Sequence, residues 1–111
     1  MRPKKDKARS LRDFDVAVEA AWFITRRYRL SLTDIEGHCR EWRFVWPRWL
    51  LIMLIHRNTS MPINRIGVFV GRSQEGIKSA LRGLNAQVET DFKSAREVAE
   101  VATAFSEIYK P

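Results

Sequence analysis

Apolar side chains recur along this chain every three or four residues and almost nowhere alternate, so the pattern predicts helices and needs no strand. From Asp13 to Arg29, Phe14, Ala17, Val18, Ala21, Ile24 and Tyr28 follow a 3.6-residue period. Asp13, Asp15 and Glu19 lie toward the positive end of that helix, and Arg26, Arg27 and Arg29 toward its negative end. Ser31-Leu-Thr-Asp34 fits a capping box that opens a short second helix through Ile35, ending at Gly37. A connection follows, and Pro47 is suited to begin the next helix. There Leu50, Leu51, Met53, Leu54 and Ile55 are apolar on more than one side, as a central buried helix requires, with an end around residues 56–59.

Ser60 is a candidate N-cap for a further helix with Pro62 in its first turn and Ile63, Ile66 and Val70 on one side. Gly71 stops it. Ser73 then caps a helix whose apolar stripe is Ile77, Ala80, Leu81 and Leu84, while Gln74, Lys78, Arg82 and Asn85 fall opposite. Val88, Phe92, Ala95, Ala99, Ala102, Phe105 and Tyr109 line one face of a closing helix, with Glu97, Glu100 and Glu107 on the other. The expectation is an all-α, compact domain of about six helices over residues 13–111, with a helix-turn-helix at about 60–86. Residues 1–12 carry Arg2, Lys4, Lys5, Lys7, Arg9 and Arg12 against Asp6 alone and read as a flexible basic arm.

With 111 residues there is one core and no space for a catalytic domain beside a binding domain. The net charge of +7 is uneven: +5 in residues 1–12, −3 in 13–25, +6 in 26–72, +1 in 73–87 and −2 in 88–111. A basic middle and a basic start suit a polyanion, and double-stranded DNA is the first candidate partner, with the polar face around Gln74 and Lys78 turned to a major groove. Arg40, Arg43, Arg65, Arg72 and Lys78 are the candidate phosphate contacts.

Catalysis and cofactors find little support. Cys39 is the one cysteine, which excludes an internal disulfide and suits a reducing cytoplasm. His38, Cys39 and His56 fall short of a four-ligand zinc set, and no group stands ready to orient a Cys-His nucleophile. No apolar run approaches the length of a membrane span, and no apolar stretch follows the basic start as in a signal peptide. The expectation is a non-enzymatic, cytoplasmic, nucleoid-associated protein without cofactor, metal or small-molecule substrate.

At Pro47-Arg48, and again at Ile66-Gly67 followed by Gly71-Arg72, the sequence resembles the C-terminal DNA-binding domain (domain IV) of the bacterial replication initiator DnaA. The likeness runs from about Tyr28 to Leu84, roughly half the chain, through Asp34-Ile35, Trp46-Pro47-Arg48, Met53, Ser60-Met61-Pro62, Ile66-Gly67 and Val70-Gly71-Arg72, with Ile77, Ala80 and Arg82 continuing it. It implies a TrpR-like helical fold, insertion of Arg48 into a minor groove, and base reading at the start of the second helix of the helix-turn-helix. There the family's Asp-His-Thr is replaced by Ser73, Gln74 and Glu75, and Gly76 follows in place of a second Thr. Gln74 can read adenine and Glu75 can accept from cytosine, so the implied target differs from the initiator's own box. No phosphate-binding Gly-x-x-x-x-Gly-Lys-Ser/Thr loop is present, so ATP-driven origin opening is not expected of this chain. Regulation of replication initiation or of transcription is the expected role.

Trp42, Trp46 and Trp49 stand where the family's loop is mainly Arg, Ser and Gln. They serve either as core padding or as a surface for a protein partner or for self-association. The competing expectation is therefore a protein-interaction module on the same scaffold that has lost specific DNA reading.

Overall fold

A computed structural model describes residues 3–109, with side-chain environments from Arg12 onward. Among the described residues all regular secondary structure is helical: α1 (Pro3–Tyr28), α2 (Leu32–Glu36), α3 (Trp42–Asn58), α4 (Ile63–Val70), α5 (Gln74–Thr90) and α6 (Phe92–Ile108). The expected fold class is the observed one.

Helix α3 is the axis of the core. Its residues Leu50 to Ile55 are all buried, because α1, α2, α4, α5 and α6 each pack against it. The largest of these contacts is with α1. Ala17, Ala20 and Ala21 on α1 are buried with Val16, Phe23 and Ile24, and small residues at that spacing let two helix backbones approach closely. Relative to the sequence pattern, the buried face of α1 is rotated: Phe14 is about half exposed, at 53%, while Val16, Ala20 and Phe23, outside the expected stripe, are buried.

Three boundaries in the first four helices differ from expectation. Helix α1 begins at Pro3 rather than Asp13, so most of the expected arm is helical backbone. Pro suits a first helical position, and the Lys, Arg, Ala and Leu that follow are good helix formers. Helix α3 begins at Trp42, five residues before Pro47. Pro47 removes only the bond its N–H would give to the Arg43 carbonyl, and the extra turn stacks Trp42 on Trp46 at 5.4 Å between centroids. Ser60 does not cap α4, whose N-cap is Pro62. Its backbone N–H instead donates to Asp13 Oδ2 at 3.0 Å, tying the α3–α4 connection to α1.

The capping box of α2 is formed: Asp34 N–H donates to Ser31 Oγ at 3.1 Å and Ser31 N–H to Asp34 Oδ2 at 3.0 Å. Helix α5 runs on through Val88 to Thr90, where Asp91 caps α6 by accepting from the Ser94 N–H at 3.1 Å and the Ser94 hydroxyl at 2.6 Å. Those bonds hold the Asp91 carboxyl below its ordinary pKa. The break also sets the phase of α6. Its buried stripe is Ser94, Val98, Val101 and Phe105, one residue off the expected alanine series, and Phe92 is 80% exposed. Tyr28 closes α1 onto α6 through a short hydrogen bond from its hydroxyl to Glu97. Burial first, then that bond and the Glu97 charge, raise the Tyr28 pKa well above its ordinary value.

Candidate nucleic-acid interface

Helices α4 and α5 meet at a turn that local residues dictate. Gly71 takes φ 74°, the left-handed conformation that closes α4, and both Gly71 and Arg72 donate their N–H groups to the Gly67 carbonyl. Ser73 then caps α5 by accepting from the Gly76 N–H at 3.1 Å. Ile77, Ala80 and Leu84 turn inward with Leu81 partly covered, whereas Ser73, Gln74, Glu75, Lys78 and Arg82 are exposed, as the sequence pattern predicts.

What the sequence does not reveal is how this turn is fixed to the loop between α2 and α3, residues 37–41. Arg72 Nη1 donates to the Glu36 carbonyl at 2.9 Å and to the Gly71 carbonyl at 3.2 Å, while Nη2 makes a short bond to the Gly37 carbonyl. The acceptors Glu36 and Gly37 close α2, where unpaired carbonyls carry partial negative charge. Backbone carbonyls leave no signature in residue types, and the one available hint was the predicted stop at Gly37.

Arg48 does not project from the surface; it is 7% exposed, with Nε donating to the Ile35 carbonyl at 2.7 Å and Nη2 to the carbonyls of Gly37 at 2.9 Å and Cys39 at 3.5 Å. Burial, followed by the neighbouring Arg72 charge, lowers its pKa. A guanidinium in a carbonyl nest remains cationic at neutral pH but is committed to the fold. Arg48 and Arg72 thus share the Gly37 carbonyl and clamp the loop from two sides.

The remaining candidates are free of such duties. Arg40 is exposed in the loop and Arg65 on α4. Arg43 lies in the first turn of α3, 3.4 Å from Glu41 and 4.4 Å over the Phe44 ring. Lys78 meets Glu75 at 3.6 Å and Arg82 Nη2 donates to Ser79 Oγ at 3.3 Å, both in exposed geometry. Exposed pairs of this kind are worth at most about 1 kcal/mol and yield readily to a phosphate.

The three tryptophans form one cluster on successive turns of α3 but in three environments. Trp46 is buried at 5% exposure, and Trp49 lies over Gly83 of α5, where a Cβ would come within 2.5 Å of the indole. Trp42 is 50% exposed, stacked on Trp46 and edge-on to Trp49. Among the described residues no group of three His, Cys, Asp or Glu side chains is disposed to hold a metal, and no helix is long and apolar enough to cross a membrane. Cys39 is exposed and unbridged. Searches of family models, curated proteins and solved structures find no match to this chain.

Proposed function

We propose that the chain binds double-stranded DNA, with the first turns of α5 in the major groove and the α2–α3 loop on the flanking backbone, in a role regulating replication initiation or transcription. The observation that carries the reading is the Arg72 bridge. It ties the polar start of α5 to the α2–α3 loop that carries Arg40, and a fixed spacing between a groove-reading helix and phosphate contacts is what docking on a duplex needs. Arg40, Arg43, Arg65, Lys78 and Arg82 supply phosphate contacts, and Gln74 and Glu75 the base contacts. Arg72 and Arg48 act as positioning residues, which departs from the minor-groove role that the likeness to DnaA domain IV implies for Arg48.

A random-duplex selection at near-physiological salt tests this reading. The expected result is a motif different from the initiator's box, shifted by Gln74→Ala or Glu75→Ala, with log K falling against log[salt] at a slope of about −4 to −5 if four to six phosphates are neutralised. A salt-independent or absent interaction refutes it.

The half-exposed Trp42 supports the second reading, a protein-interaction module that has lost specific DNA reading. In that case Trp42→Ala abolishes a protein contact or self-association, seen by light scattering, and leaves the fold intact. Trp46→Ala instead costs about 3–5 kcal/mol of stability as a core truncation.

A further inference from the structure

A groove that includes none of the residues assigned to DNA runs along α1. At one end, a cavity of about 140 Å³ opens among Val18, Trp22, Leu32, Phe69 and their neighbours, with Glu36 on its wall. At the other, a shallower hollow is bounded by Phe14, Asp15, Val18, Glu19, Ile108 and Tyr109. Val18 lines both, so the two hollows adjoin on α1. Phe14 is held edge-on to Phe69 at 5.9 Å, which joins the walls from α1 and α4. Phe14, Trp22, Leu32 and Ile108 are four of the seven large apolar side chains that the described residues leave exposed. A concentration of that kind on one face marks a binding surface rather than ordinary apolar scatter.

We propose that this groove docks a basic amphipathic helix of a protein partner. Size supports it: apolar cavities of about 150 Å³ take a benzene ring, so the deep end suits one aromatic or branched aliphatic side chain. Length supports it as well. Phe14, Val18 and Trp22 span two helical turns, about 12 Å, the reach of anchors at i, i+4 and i+7 on a docked helix. Charge selects the partner. On a chain of net charge +7, residues 13–25 carry three carboxylates and no Lys or Arg, and Asp15, Glu19 and Glu36 line the groove. Among the described residues none of these three is in an ion pair. Lys or Arg flanking the anchors would meet them, whereas a second copy presenting the same face would set carboxylate against carboxylate.

The test is a selection of displayed helical peptides on the full chain, followed by calorimetry with the synthetic winner. Winners should carry apolar residues at i, i+4 and i+7 with Lys or Arg beside them. Phe14→Ser with Trp22→Ser should weaken the winner at least tenfold while the variant keeps its helix content at the assay temperature, and Asp15→Lys with Glu19→Lys should do the same by charge alone. DNA retention should be unaffected by the serine pair, which keeps this site separate from the interface on α5. The proposal is overturned if no peptide is enriched, if winners show no preference for basic residues, or if they bind either double variant as tightly as the parent. It is equally overturned if sedimentation shows a dimer that the serine pair dissolves, since a second copy then fills the groove.

Discussion

Replacing Gly67 by alanine probes the junction on which the proposed interface depends. At an exposed helix position the change would stabilise by about 1 kcal/mol through helix propensity. Gly67 is buried, and a Cβ there would lie 2.4 Å from the Arg72 carbonyl oxygen, 3.5 Å from its carbonyl carbon and 3.6 Å from Ile77 Cγ1. The contacting atom is backbone and cannot swing aside. The Arg72 N–H is bonded to Gly67 at 2.8 Å and its guanidinium to the end of α2, so relief requires α4 and α5 to separate. Overpacking of this kind costs about 1–3 kcal/mol, which exceeds the propensity gain at most of that range. For a domain of this size the midpoint falls by roughly 4–8 °C per kcal/mol, so a net loss of up to about 2 kcal/mol lowers it by up to roughly 15 °C. Thermal denaturation followed by circular dichroism measures this directly. Gly76→Ala is the control, because its Cβ would meet only Ser73 Oγ at 3.4 Å and the Arg72 side chain from 3.5 Å, and it should be neutral or stabilising by up to about 1 kcal/mol. A Gly67→Ala protein as stable as the parent would refute the argument that the turn is closed by backbone contact.

Arg48→Ala removes charge-assisted bonds to buried carbonyls and should cost about 2–3 kcal/mol in urea titrations, whether or not DNA is present. Arg29 is the one described non-glycine residue with positive φ, at 55°, and Arg29→Gly should raise stability by about 0.5–1 kcal/mol in the same assay. Because the folded Asp91 carboxyl titrates below its ordinary value near 3.8, its contribution is present in full above that value and fades as pH falls through the folded pKa. Asp91→Asn should therefore flatten part of the acid limb of the stability profile and leave the alkaline limb unchanged.

Helix type and most of the punctuation were legible in the chain because they rest on neighbours in sequence. Ser31 and Asp34 cap one another across three residues, Gly71 supplies the left-handed turn, and Ser73 starts a helix whose apolar and polar faces follow from spacing alone. Local rules failed where a distant partner outweighed them. Pro47 looked like a first residue until stacking of Trp42 on Trp46 carried α3 back by five positions. Ser60 looked like a cap, but Asp13, 47 residues away, takes its N–H. An arginine after proline reads the same on paper whether it reaches for solvent or for carbonyls. Only the packing of α2 beside α3 put the carbonyls of Ile35, Gly37 and Cys39 within reach of Arg48, and only the turn at Gly71 brought Arg72 to the same loop. The groove along α1 was beyond sequence reading for the same reason. Its walls come from α1, α2, α4 and the end of α6, and the periodicity that marked Phe14 and Val18 as apolar does not say whether anything in the chain arrives to cover them.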